Sequence, residues 1–260
     1  MKRVAAWTLF TLLILPSLGV AQSVFNGTWK ADPGSFKNSS NNTSVLKDGV
    51  YSCKSCTPPY QLKADGKFHK VAGQSGFDME AIQVIDDRTV RQTRMKDGKK
   101  VGNMSFSVAP DGQAGTETFH SFHNGHTMKG QVTLTRVAPG PAGSHATSGT
   151  WRLQHVDVSA SSDITATYNI EDESVEFSDS MGYSYLAKLN GIKVQIHGDD
   201  PGEMVSVAMP DPHTLVETYW KKDKAEGGAV TIVAPDDSSA KVVSYNLKDG
   251  SVSSYTMTKQ

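Results

Sequence analysis

The chain has only two cysteines in 260 residues, Cys53 and Cys56, and no second pair that would complete a four-ligand zinc site. It has little net charge, −1 over its full length, so it offers no electrostatic footprint for nucleic acid and that class of partner is excluded. The densest basic cluster, KDGKK at 96–100, is broken by Asp97 and Gly98 and reads as a hairpin turn. Beyond residue 21 no apolar run approaches the ~20 residues of a spanning helix, so no membrane span is expected. There is no G-x-S-x-G elbow, hence no catalytic residue is assigned and no cofactor is expected. The acid pairs Asp86-Asp87, Asp199-Asp200 and Asp236-Asp237 fall where turns are expected. No segment of about eleven residues carries a helical apolar stripe, which predicts little helix.

What is present begins with MKRVAAWTLFTLLILPSLGVAQ, in which Lys2 and Arg3 precede an apolar run and the small residues Gly19-Val20-Ala21. This predicts a signal peptide over 1–21 and a periplasmic or secreted protein. No cysteine follows the expected cleavage site to carry a lipid. Removing Lys2 and Arg3 leaves 24 basic against 27 acidic side chains, a net charge of −3.

The remaining chain repeats itself. FNGTWK at 25–30 returns as SGTWRL at 148–153, and a shift of 125 positions aligns 60–111 with 185–236 without a gap. In that register Gly66 meets Gly191, Met79 meets Met204, Asp86 meets Asp211, and VAPD at 108–111 recurs at 233–236. The repeat is domain-sized, far longer than a solenoid unit. Between the copies lies APGPAGSHAT, rich in Pro, Gly and Ala. The expected organisation is therefore a first β-domain over 22–137, a linker over 138–147 and a second β-domain over 148–260. Fragments 22–140 and 146–260 are each expected to fold alone.

Within each copy the segments are short, rich in Val, Thr, Tyr and Ile, and bounded by turn dipeptides such as Asp65-Gly66, Asp97-Gly98, Asp111-Gly112 and Asn124-Gly125. Strands are predicted near 26–31, 44–53, 59–64, 67–72, 79–85, 89–96, 101–109, 115–122 and 130–137. In the second copy they fall near 149–156, 163–171, 173–178, 183–189, 192–197, 203–209, 214–221, 229–234, 240–247 and 252–259. Eight or nine consecutive antiparallel strands hide their edges by closing, so the predicted fold is all-β, two tandem up-and-down barrels.

Gly27-Thr28-Trp29 and Gly149-Thr150-Trp151, each on the first strand of a copy, resemble the Gly-x-Trp signature of lipocalins and lipocalin-like proteins. The opening is also similar to that of secreted bacterial β-proteins beginning FNGTWK. The lipocalin resemblance implies that each Trp plugs a closed barrel end and stacks on a basic residue of the last strand, with Arg136 and Lys259 as the candidates. Lys259 departs from the arginine fork that stacks best. The resemblance further implies a cavity for a small apolar or amphipathic ligand.

Cys53 and Cys56 read as a disulfide, a redox pair or half a metal site; an oxidising compartment favours the first. His120, His123 and His126 surround the expected Asn124-Gly125 turn and are candidate Zn²⁺ or Cu²⁺ ligands if the turn brings them together. Three functions thus remain open at this point. They are a ligand-binding protein, a non-catalytic envelope or extracellular interaction protein with packed barrels, and a metal-dependent enzyme built on the histidine hairpin.

Overall fold

The computed structural model describes residues 22–123, 125–159, 164–198 and 202–260. The expected signal peptide at 1–21, Asn124 of the Asn124-Gly125 turn and the pair Asp199-Asp200 lie outside the described residues. The described residues form twenty strands, β1 to β20 in chain order, and no helix.

The strands make two antiparallel ten-stranded sheets, each curled into a nearly closed barrel. Barrel 1 runs, in sheet order, β4 (Tyr60–Lys63), β3 (Val50–Cys53), β2 (Asn41–Lys47), β11 (Gly149–Val158), β10 (His126–Pro139), β9 (Ala114–His123), β8 (Lys99–Val108), β7 (Thr89–Lys96), β6 (Met79–Asp86) and β5 (Phe68–Lys70). Barrel 2 runs β14 (Ser184–Lys188), β13 (Ser174–Asp179), β12 (Thr165–Glu171), β1 (Gly27–Asn38), β20 (Val252–Lys259), β19 (Ser239–Asn246), β18 (Lys224–Val233), β17 (Thr214–Lys221), β16 (Glu203–Asp211) and β15 (Val194–Gln195). The fold class read from the sequence is the one observed.

The sheets do not divide the chain where the repeat does. Each copy lends its first strand to the other barrel: β1 lies between β12 and β20, and β11 lies between β2 and β10. The chain passes from one barrel to the other between β1 and β2, at 39–40, and between β11 and β12, and β1 and β11 pack against each other. The segment 138–147 is therefore no inter-barrel linker but a connection between two neighbouring strands of barrel 1.

Local chemistry explains the other departures. The predicted strand 44–53 is a hairpin, β2 and β3, because Asp48 (φ 51°) and Gly49 (φ 73°) supply the left-handed pair that a two-residue turn needs. The strand expected to stop at 31 continues to Asn38. Asp32-Pro33-Gly34-Ser35, which looks like a terminator, is accommodated as a bulge: the register with β20 jumps from Asp32↔Thr256 to Lys37↔Ser254. Ser35 Oγ stabilises that bulge by accepting from the Thr256 N–H at 2.8 Å and donating to the Asp32 carbonyl at 2.6 Å.

The interior follows the period of two expected of strands. Barrel 2 holds one large apolar cluster, including Phe25, Trp29, Tyr168, Val205, Leu215 and Met257. Barrel 1 holds two smaller ones, around Ile82 and Leu62 and around Trp151. A disulfide joins Cys53 to Cys56, with Cys53 packed in the first of these clusters. Its sequence separation is only 3, so closing so short a loop contributes about 2 kcal/mol in the chain-entropy treatment. Cys53→Ser with Cys56→Ser is expected to keep the strand signal in circular dichroism and to lower the melting temperature modestly. Loss of that signal at room temperature would show that the bridge holds the barrel itself.

Candidate functional site

The closed end of each barrel is built around the repeated Trp. Trp29 is 1% exposed and Trp151 3%, and each indole N–H donates to the carbonyl four residues earlier, Phe25 at 2.8 Å and Thr147 at 3.0 Å. The glycine of Gly-x-Trp has a physical reason in both copies. Gly27 (φ 121°) and Gly149 (φ 138°) adopt backbone that L residues avoid, and a Cβ on Gly149 would lie 2.5 Å from the Ala138 carbonyl oxygen.

The basic partners are the expected residues, but each stacks on the other copy's Trp. Arg136 lies 4.1 Å over the Trp151 ring, and the Lys259 ammonium lies 5.2 Å over the Trp29 ring. Arg136 also donates to the carbonyls of Gly112, of Ser148 at 2.6 Å and of Ala146 at 2.6 Å, which fastens the 138–147 connection across the barrel floor. Lysine fills the same place in barrel 2 as a point charge, donating once, to the Val24 carbonyl at 2.8 Å.

The open ends face each other. A cavity of about 870 Å³ is lined from both barrels, with Gln92, Arg94 and Glu117 on one side and Asp179, Tyr185 and Glu217 on the other; further buried polar groups stand behind these walls. In barrel 1, Glu80 is fully buried on β6. Tyr60 donates its hydroxyl to Glu80 Oε2 at 2.6 Å, and Arg94 donates Nε–H to Oε1 at 2.7 Å. Arg94 in turn covers the Phe77 ring at 4.4 Å. Burial draws the guanidinium down, but the adjacent Glu80 outweighs it and the net shift is upward. Burial, and then the Glu80 charge, push the Tyr51 phenol up to about 12.

Barrel 2 carries a different set at the matching positions. In the 125-residue register Tyr60, Glu80, Gln92 and Arg94 become Tyr185, Val205, Glu217 and Tyr219. Glu217 on β17 is 4% exposed and accepts the Tyr185 hydroxyl at 2.6 Å. Burial pushes its carboxyl above the usual range, opposed by hydrogen bonds from Tyr185 and Tyr219. After burial itself, the Glu217 charge is the main influence that raises the phenols of Tyr168, Tyr185 and Tyr219, and it also acts on Tyr255, which burial pushes up to about 12. Phe177 stacks on Tyr185 with centroids 4.9 Å apart. Two more acids at the cavity, half-buried Glu117 and Asp179, are also raised, first by burial.

These directions fix the sign of a pH effect. A carboxyl whose affinity for its proton is higher folded than unfolded adds stability below its unfolded pKa, and that stability disappears as pH rises through the folded value. Glu217, Glu117 and Asp179 all act in this sense. Glu217→Gln removes the charge that burial opposes while keeping an acceptor for Tyr185. The variant is expected to melt higher than the parent near neutral pH, with the gap closing towards about pH 4. A gap that widens on acidification would contradict the assignment.

The histidine hairpin is not gathered into a metal site. His123 stacks on Tyr183 of barrel 2 with ring centroids 4.6 Å apart, and its Nε2 lies 2.8 Å from the Gly198 carbonyl oxygen. His123 pairs with His126 across the hairpin, whereas His120 pairs with Lys129 and faces the cavity. Among the described residues no group of three or more His, Cys, Asp or Glu side chains is placed to hold a metal ion. What the hairpin does is link the two mouths.

None of Tyr60, Glu80, Gln92, Arg94, Tyr185, Glu217 or Tyr219 stands out in the sequence. Charged residues on alternating strands read as solvent-facing, and these point inward. The usable signal was parity: Gln92 and Arg94 share a face with buried Val90, and Glu217 and Tyr219 share one with buried Leu215. Set against protein-family models, curated proteins and solved structures, the chain matches none of them.

Proposed function

We propose that this chain is a binding protein for a small amphipathic molecule, held in the cavity between the two barrel mouths after export to the periplasm or the extracellular space by residues 1–21. The observation that carries this reading is the cavity itself. At about 870 Å³ it lies in the range of small-molecule sites, and its walls set Phe77, Phe119, Phe177, Tyr185 and Tyr219 around a few polar groups. That is the composition that recognises an apolar body through its surface and a polar end through a few hydrogen bonds. A purely structural or interaction role would be served without an aromatic-lined cavity shared by the two barrels.

The test is a titration with a neutral, environment-sensitive amphiphile, N-phenyl-1-naphthylamine, followed by fluorescence. One molecule per chain is expected to bind, and Ser121→Trp, which fills part of the cavity from β9, is expected to weaken binding by about tenfold or more. Binding that ignores Ser121→Trp, or no saturable binding, would refute the proposal.

A further inference from the structure

Resting on that binding reading, we infer that the ligand is an organic cation, an amine or quaternary ammonium on an apolar body, and that its positive end sits beside Glu217 inside the tyrosine-lined half of the cavity.

The two lumens are built from repeated sequence but differ in charge balance. Barrel 1 buries a carboxylate and supplies its own cation, Arg94 against Glu80 at 2.7 Å. Barrel 2 buries Glu217, but the position matching Arg94 is Tyr219. No Lys or Arg among the described residues forms an ion pair with Glu217; its hydrogen-bond partners are phenols. Two further acids that line the cavity already have their own cations, Glu203 with Lys221 at 2.6 Å and Glu226 with Lys248 at 2.7 Å. A buried carboxylate without a counter-charge is unfavourable, and an incoming ammonium removes that penalty at the moment of binding.

The surroundings suit a cation in a second way. Tyr185 and Tyr219 line the cavity together with Glu217, and aromatic faces attract ammonium groups. On the barrel 1 side, Gln92 occupies the place of Glu217, is 8% exposed, lines the same cavity, and its Oε1 has no hydrogen-bond partner. That free acceptor, half-buried Glu117 and Glu217 all call for donors. An anionic headgroup would meet those three acceptors, while the two cationic side chains at the cavity, Arg94 and Lys96, already serve Glu80 and the Ser75 carbonyl.

The experiment compares three probes of one chain length on the full-length mature chain by isothermal titration calorimetry, below micellar concentrations: decyltrimethylammonium, 1-decanol and decyl sulfate. The cation is expected to bind about tenfold tighter than the alcohol or better, and the sulfate more weakly than the alcohol. Glu217→Gln is expected to abolish the preference for the cation over 1-decanol. Tyr219→Arg, which supplies the counter-charge as barrel 1 does, is expected to do the same. If cation and alcohol bind parent protein equally, or the sulfate binds tightest, the charge assignment falls while the binding reading stands. If none of the three binds, nor the naphthylamine, both fall together.

Discussion

Trp29→Ala is expected to unfold barrel 2, made from β1 and the strands of 165–259, leaving the barrel made from 41–158 largely intact. Trp29 is 1% exposed and in register with Ala166 of β12 and Lys259 of β20, so every neighbour that closes over it belongs to barrel 2. Emptying such a site costs about 3–5 kcal/mol, a large share of a domain's stability. The Lys259 ammonium would also lose its ring, and the Phe25 carbonyl its indole donor. Trp151→Ala should act conversely on barrel 1, where Trp151 packs edge-on to Phe106 at 5.0 Å and carries Arg136 on its face. Hydrogen exchange reads this directly: Trp29→Ala should deprotect β12 and β20 while β7 to β10 keep their protection. Deprotection confined to β2 and β10 would mean that each Trp serves its own copy.

Cutting the chain within 141–145 is expected to leave the two halves bound to each other. The cut severs a connection between β10 and β11 on the floor of barrel 1, yet β11 remains paired with β2 and β10, and β1 with β12 and β20. Made separately, 22–140 lacks β11 and 146–260 lacks β1. Each half then exposes two unpaired strand edges where its Trp strand belongs and should aggregate or remain expanded. Mixing from denaturant should restore the pair. By contrast 41–158, which carries all ten strands of barrel 1, is expected to fold alone. Recovery of 22–140 as a folded monomer would show that β1 can close its own copy and that exchange is dispensable.

Much of the local structure was legible because it depends on neighbours in sequence. Turn dipeptides and alternation located nearly every strand, and where they failed, at 44–53, the missed signal was Asp48-Gly49, the same dipeptide recognised at Asp97-Gly98. The candidate site was not legible for a reason of parity and depth. A Glu at 217 follows the same alternation whether its face meets water or the lumen, and only buried Leu215 two residues away distinguishes the two.

The sequence by itself determined an all-β chain and a duplicated unit; it left the Cys53–Cys56 pair open among three readings, and the stacking of each Trp on a basic last strand was implied only by the lipocalin resemblance. Only the tertiary structure decided which copy's strand completes which barrel. The two copies are near-equivalent in chemistry: Trp29 meets Lys259 as Trp151 meets Arg136, and Asn26 bonds the Ile170 backbone as Ser148 bonds that of Leu46. Local preferences are satisfied equally by exchange or by self-closure, so they cannot choose between them. The choice lies in long-range geometry, in β1 running through its Asp32–Ser35 bulge to pair with β20 as far as Asn38. From there only residues 39–40 separate it from β2 in the other barrel, and that crossing brings the two mouths together around one cavity.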